Sequence, residues 1–317
     1  LRFTNNSGTK LKYFIDYYVE GDYATVWVLF DTVPGVGATL DFWIYYGNSS
    51  AATESNLHNT FPLFSDGPDG VVLDAAKWNA LSGTWDVSSV TGHWGRAVNA
   101  IRQSNVVAAD YAMRTVDDIL GDNVAIDCWS KGTAVATAHG VLLRCANTNN
   151  YYAGQHGGFA NQRSLWKKIA AVNTQLASYA GARDTNWHFH SLRITGTRLT
   201  YIQDDGDDLI ASDSALPATN LKLALSAYGA AGAASYMTDV RIRPYYYQEP
   251  TFGNWQSPET YATFYGISEV DELAAGMAKG DVLFFDGTRL VRLTPSSVGT
   301  NMIAHGPGND PTWEYPP

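Results

Sequence analysis

From residue 70 to about 247, short β-prone runs recur every 10 to 20 residues, and nothing of strand–helix–strand type alternates with them. Stretches such as "NVAIDCWSK", "HGVLLRCAN", "HFHSLRITG", "RLTYIQD" and "LKLALSAYG" are separated by Gly, Asn or Asp. Parallel strands need a crossover of about a dozen residues or more, normally a helix, whereas antiparallel strands need only a turn. The spacing therefore constrains this region to a large antiparallel sandwich and excludes a βαβ sheet. One segment, "RSLWKKIAAVNTQLASYAG" at 163–181, leaves two readings open. Its apolar residues three and four apart fit an exposed helix, while "KIAAVN" and "LASYAG" fit a peripheral strand pair, the preferred reading.

The remainder divides around that body. Residues 1–66 read as an N-terminal β subdomain, with the Pro/Gly turn "VPGVG" between "YATVWVLFD" and "ATLDFWIYYGN". The sandwich is assigned to 67–247. Residues 248–278 read as an aromatic linker leading into a short helix in "ISEVDELAAGMAKG", with Ser268 as its cap. Residues 279–317 carry a hairpin around Asp286-Gly287 and a Pro-rich end, too short a segment to bury a core unaided. Closed symmetry would cover its apolar residues Phe284, Phe285, Leu290, Val291 and Trp313 with copies of themselves. The chain starts at Leu1 in a strand–turn–strand pattern already under way, and is read as part of a longer polypeptide.

Charge narrows the partners. Only 16% of residues are charged and the net charge is −10, without a basic run. A nucleic-acid partner, which needs clustered Lys and Arg, is therefore not expected. No apolar run has the ~18 to 20 residues that would cross a bilayer, and no signal peptide is visible. Cys128 and Cys145 lie on two candidate strands, and a bridge or two buried thiols are equal alternatives. Asn5 and Asn48 open formal glycosylation sequons, of weight only on a eukaryotic secretory route.

The densest acidic run is "RLTYIQDDGDDLIAS", residues 198–212. Asp205-Gly206 is a hairpin signal, because Gly accepts positive φ and Asp tolerates the left-handed region. A calcium site there, drawing on Asp204, Asp205, Asp207 and Asp208, is the weaker alternative, since the Glu that closes an EF-type loop is missing. No cofactor is expected, with calcium the one alternative. Glycoside hydrolysis needs two carboxyls ~5 to 9 Å apart. The sandwich region contains no glutamate. Asp127 and Asp239 lie in strands without a second carboxyl two or four residues away, so an enzyme would need aspartates gathered by the fold. His188 and His190 share one face of "WHFHSLRI", and could chelate zinc only with a third ligand from elsewhere. That face continues into Leu192 and Ile194, which favours core or rim histidines.

Aromatic residues remain. Sugars are held by stacking on aromatic rings, with amides and carboxylates taking the hydroxyls, and loops on a rigid sandwich are where recognition is displayed. The loop "RCANTNNYYAGQHGGFANQR", residues 144–163, offers Asn147, Asn149, Asn150, Tyr151, Tyr152, Gln155, His156 and Asn161 as a candidate carbohydrate site.

Two resemblances bear on these readings. "ATVWVLFDTVPGVGATLDFWIYYGNSSA", "TFPLFSD" and "LDAAKWN" resemble a domain family of uncharacterised function that commonly precedes a concanavalin A-like lectin/glucanase sandwich in prokaryotic surface and viral proteins. "FHSLRITGTRLTYIQDDGDDLIASD" and "YMTDVRIRPY" are similar to that sandwich's late hairpin and final strand. The resemblance implies an all-β, concanavalin A-like jelly roll. The Glu-x-Asp-x-Glu strand of its glucanase members is absent, and Phe64-Ser65-Asp66 stands where the preceding family has a more acidic run. "KGDVLFFDGTRLVRLTPSSVGTNMIAHGPGNDPTW", residues 279–313, resembles a module of bacteriophage tail-fibre and other virion proteins. Its landmarks are Gly280-Asp281, Asp286-Gly287, Leu293, Gly299 and Pro311-x-Trp313, and it implies a homotrimer. The combined expectation is a non-enzymatic virion structural protein, a fibre, spike or decoration, whose lectin-like domain binds glycans and contacts other virion proteins. The alternatives are a secreted or cell-surface carbohydrate-binding protein and an aspartate-based glycoside hydrolase.

Overall fold

A computed structural model describes residues 1–19, 24–32, 40–45, 50–67, 70–104, 109–118, 123–158, 162–181, 183–204, 206–216, 222–229 and 232–245, with four short strands beyond them. Leu1–Tyr247 forms one compact unit and Gln248–Pro317 a second.

The first unit opens with β1 (Arg2–Asn5), β2 (Lys10–Tyr18), β3 (Ala24–Leu29) and β4 (Phe42–Tyr45), joined in the order β3-β2-β1-β4. A single helical turn, α1 (Leu57–Thr60), follows. Asn56 caps it, its side chain accepting from the Asn59 amide at 2.8 Å. Then come β5 (Phe64–Asp66), β6 (Trp78–Ala80), β7 (Thr84–Thr91), β8 (Ala97–Ser104), β9 (Ala109–Thr115), β10 (Asn123–Gly132), β11 (Ala138–Asn147) and β12 (Asn150–His156). The unit ends with β13 (Arg163–Ile169), β14 (Val172–Tyr179), β15 (His188–Thr195), β16 (Arg198–Gln203), β17 (Leu209–Ser212), β18 (Ala224–Gly229) and β19 (Ala234–Pro244).

These make two antiparallel sheets, β17-β16-β15-β10-β19-β8-β7 with β5 added to β19, and β14-β13-β12-β11-β18-β9-β6. They face each other across a shared core as an antiparallel β-sandwich, the all-β architecture expected. Alternation builds the layer between them: Ile126 and Cys128, Val141 and Leu143, Leu192 and Ile194, and Leu199 and Tyr201 all enter one core. Gly154 is required there, because a Cβ would stand 2.3 Å from the Tyr201 ring.

The 163–181 segment is the strand pair β13–β14. Ala170 and Ala171, with φ of 49° and 69°, make the two-residue turn. Cys128 and Cys145 are buried free thiols. Their strands follow one another in the chain but belong to opposite sheets, so they do not pair.

The N-terminal sheet is anchored to the sandwich by charge as well as by packing. Phe14, Leu57, Phe61 and Trp27 form a small core, and the buried Arg241 guanidinium lies 5.1 Å from Trp27 and 5.3 Å from both Phe61 and Phe189. Arg241 donates to Asp16 at 3.0 and 2.5 Å, while the indoles of Trp27 and Trp129 donate to the same carboxylate at 2.9 and 3.0 Å. Burial alone would raise the Asp16 carboxyl; Arg241 and these hydrogen bonds more than offset that and hold it below its ordinary value.

In the second unit, β20 (Val282–Phe285) pairs with β21 (Leu290–Leu293), and β22 (Asn301–Ile303) with β23 (Thr312–Glu314). Phe284 stands opposite Val291, Phe285 opposite Leu290, and Trp313 opposite Met302. The helix expected in 267–280 lies outside the described residues.

Candidate functional site

Four of the seven histidines meet inside one end of the sandwich. His139 on β11 and His156 on β12 come from one sheet; His188 and His190 on β15 come from the other. His156 and His188 stack at 4.1 Å, with His139 5.2 Å from His156 and 6.3 Å from His188, all between ring centroids. His188 is clamped between two carboxylates, Nδ1 to Asp204 at 2.6 Å and Nε2 to Asp184 at 2.9 Å. Burial opposes its proton, but the two aspartates outweigh that and raise its affinity. Burial and the other imidazoles push His139 and His190 well below the ordinary histidine value, and burial brings His156 down to about 4. His139 Nδ1 meets Ser130 Oγ at 2.6 Å and His190 Nδ1 meets the Tyr201 hydroxyl at 2.7 Å. Their Nε2 atoms have no hydrogen-bond partner among the described residues.

The acidic turn has a structural task in this nest. Asp204 sits in the left-handed region at φ 52°, accepts from the Phe189 amide at 2.8 Å and holds His188. Asp205 lies outside the described residues. Asp204, Asp207 and Asp208 do not converge as a cation site; the described side chains whose ligand atoms lie within 4.8 Å of one another are those of His156, Asp184 and His188. The third ligand that "WHFHSLRI" lacked arrives from the connection before β15. It pairs with His188 and His156, not with the expected neighbours His188 and His190.

Several other aspartates of the sandwich are bound up in the fold. Arg243 Nε donates to Asp127 at 2.9 Å, Lys167 pairs with Asp213, and Arg102 with Asp86. Asp66 takes the Trp78 indole at 2.5 Å and Lys77 at 3.1 Å. Burial pushes the Asp239 carboxyl up to about 7, with Arg241 opposing and Asp16 reinforcing the rise. Such a value suits a general acid, but this half-buried side chain is coupled to the Asp16–Arg241 pair.

The candidate recognition loop is corrected by the structure. Residues 144–163 are mostly strand, the end of β11, all of β12 and the start of β13, and β12 is an interior strand of its sheet. Tyr151 and Tyr152 are both buried: Tyr152 in the central core, donating to Asp213 at 2.7 Å, and Tyr151 against Trp166 on the opposite face of the sheet. Neither offers a ring to a sugar. Gln155 is buried between the Trp166 indole and Ser226, and His156 belongs to the histidine nest. Asn147, Asn149 and Asn150 form the β11–β12 turn, where Asn147 Oδ1 accepts from the Asn149 amide and the Asn150 side chain at 2.8 and 3.0 Å. Asn161 lies outside the described residues. Phe284, Phe285, Leu290, Val291 and Trp313 are placed on strands, as given above.

Residues 1–81 match the family described as "Domain of unknown function (DUF2341)". No curated protein matches the chain. Among solved structures, the carbohydrate-binding module CBM66 from Bacillus subtilis is 15% identical, covering 53% of this chain and 96% of its own at a TM-score of 0.42. A Bacillus licheniformis β-glucanase is 10% identical, covering 56% of this chain and 96% of its own at 0.39. A family 16 glycosyl hydrolase protein from Mycobacterium smegmatis is 15% identical, covering 57% and 99% at 0.38.

The DUF2341-matched segment contains an exposed aromatic pair that the sequence reading passed over. Trp43 and Tyr45 lie two residues apart on β4, the edge of the N-terminal sheet, and are 59% and 54% exposed. Alternation puts both on one face. Opposite Tyr45 on β1 is Arg2, whose Nε pairs with Glu54 at 3.0 Å; Lys10 joins the same carboxylate at 3.1 Å. Tryptophan is seldom left this open, and two such rings beside a charged cluster are more informative than a scattered exposed leucine.

Proposed function

We propose that this chain is a non-enzymatic glycan-binding protein that displays a lectin-like sandwich, with Trp43 and Tyr45 as the stacking platform. The observation that carries this reading is the exposed aromatic pair on the β4 edge. Two rings on one strand face lie roughly 7 Å apart, a separation that lets them meet nearby sugar rings of one chain. Arg2, Glu54 and Lys10 beside them supply donors and acceptors for hydroxyls. The non-enzymatic part is supported by the engagement of Asp16, Asp66, Asp86, Asp127, Asp184, Asp204 and Asp213 with Arg, Lys, His and Trp partners. The setting we propose, a homotrimer on a virion with a cell-surface or secreted location as the alternative, rests on the resemblance of residues 279–313.

Affinity electrophoresis of the full chain through gels holding a panel of soluble polysaccharides tests the binding. Retardation is expected on at least one, lost in the Trp43→Ala/Tyr45→Ala double variant while its circular dichroism is unchanged. Equal retardation of both proteins, or of neither, refutes the platform. Native mass spectrometry tests the assembly, and a monomer at micromolar concentration would overturn the trimer.

A further inference from the structure

The histidine nest carries an inference that does not depend on glycan binding. Its inner groups are arranged in two shells. His156 Nε2 and His188 Nε2 both turn toward residue 184, the first 3.3 Å from its amide nitrogen and the second 2.9 Å from its carboxylate. Behind them, His188 Nδ1 meets the Asp204 carboxylate at 2.6 Å, while His156 Nδ1 lies 3.1 Å from the Gln203 amide nitrogen, so the oxygen support belongs to His188. A histidine that binds a metal through one nitrogen usually has its other nitrogen fixed by a carboxylate or amide oxygen, which sets the tautomer and the ring plane. Core histidines that serve only packing need no such convergence of nitrogen and carboxylate oxygen.

We propose that His156, His188 and Asp184 form a binding site for a transition-metal ion, zinc by preference. Two imidazole nitrogens and one carboxylate oxygen match the ligand preference of Zn²⁺ and leave a fourth position for water. His139 Nε2 is an unpartnered buried nitrogen in the same nest, with its ring 5.2 Å from His156 and its Nδ1 already committed to Ser130. Asp184 is the half-exposed member of the trio and gives the ion its way in, since His156 and His188 are buried. The ligands come from β12 of one sheet, β15 of the other and the connection after β14, so a bound ion would staple the two layers together. Loading requires two adjustments: His156 Nε2 must release the hydrogen bond it accepts from the Asp184 amide, and the ring stack must open. Two imidazoles sharing an ion at a Zn–N distance of ~2.1 Å stand roughly 5 Å apart between centroids, so the stack at 4.1 Å must open.

The test uses the untagged full chain, stripped with chelator and titrated with ZnCl₂ in a calorimeter at pH 7.5. One Zn²⁺ per chain is expected, and Zn²⁺ at a hundredfold excess over Kd should raise the melting midpoint by about 5–10 °C. Asp204→Asn, which keeps an acceptor for the Phe189 amide but loses the carboxylate behind His188, should weaken binding about 10- to 100-fold. Asp184→Asn and His188→Ala should abolish it. If His188→Ala does not fold, the two isosteric asparagine variants decide the matter. Co²⁺ in place of Zn²⁺ should give the intense visible bands of a four-coordinate ion. Absence of a stoichiometric site in the wild type, or equal Zn²⁺ affinity in wild type and Asp184→Asn, overturns the proposal.

Discussion

Replacing Asp16 by asparagine removes one negative charge from the centre of the molecule and changes almost no volume. Its carboxylate takes two hydrogen bonds from Arg241 and one each from the indoles of Trp27 and Trp129. Arg241 is fully buried, so its charge cannot turn to water when the partner goes. Breaking a buried pair by neutralising one member costs about 3–5 kcal/mol. For a unit of this size that lowers the melting midpoint by roughly 10 °C. Urea unfolding followed by tryptophan fluorescence reads the loss. A cycle with Arg241→Met separates the pair from its surroundings, and the double variant should lose clearly less than the sum of the singles. The pH dependence has a definite sign. Because the folded Asp16 carboxyl lies below its unfolded value of 3.8, its contribution is complete at neutral pH. It is lost as the pH falls below 3.8 through the folded value, and wild type and Asp16→Asn then converge. A cost below about 1 kcal/mol at pH 7, or strict additivity, would show that the junction is held by packing and not by charge.

Three further outcomes follow from local geometry. Ala171 sits at φ 69°, where a Cβ is strained, so Ala171→Gly should stabilise the first unit by about 1 kcal/mol in urea denaturation. Gly154→Ala would drive a methyl into the Tyr201 ring and should cost about 1–3 kcal/mol by the same measurement, whereas a neutral result would mean that the sheets are not packed in this register. His93 stacks on Trp129 at 4.1 Å, and burial brings it down to about 4 from 6.5. Stability should therefore decline as the pH falls from 6.5 toward 4, and His93→Gln should have a shallower decline, measured as melting midpoint against pH.

The sandwich was legible in the sequence because a two-residue period and turn residues are local signals. The β13–β14 hairpin was ambiguous for a local reason as well: its turn uses Ala-Ala in left-handed conformations instead of the Asn-Gly or Asp-Gly that marks such turns. Tyr151 and Tyr152 misled because adjacent strand residues normally divide between core and solvent, while this interior strand is covered on both faces. The histidine nest was half visible. His188 on a face turning apolar pointed inward, but Asp184 and His156 join it only once β12 and β15 are stacked from opposite sheets. Trp43 and Tyr45 were in plain view as letters. Their exposure depends on β4 being an edge strand, which no window of neighbouring residues discloses.

Asp16 and Arg241 are 225 positions apart in the chain. As synthesis proceeds from the amino end, the first sheet is made long before the cation it requires, and until then its acidic side chain must remain hydrated. Strands β1–β4 can therefore seat only after the closing strand of the sandwich has emerged, so a segment made before the sandwich is among the last to lock. A ribosome stalled before position 241 should hold a nascent chain whose leading strands are still open to protease.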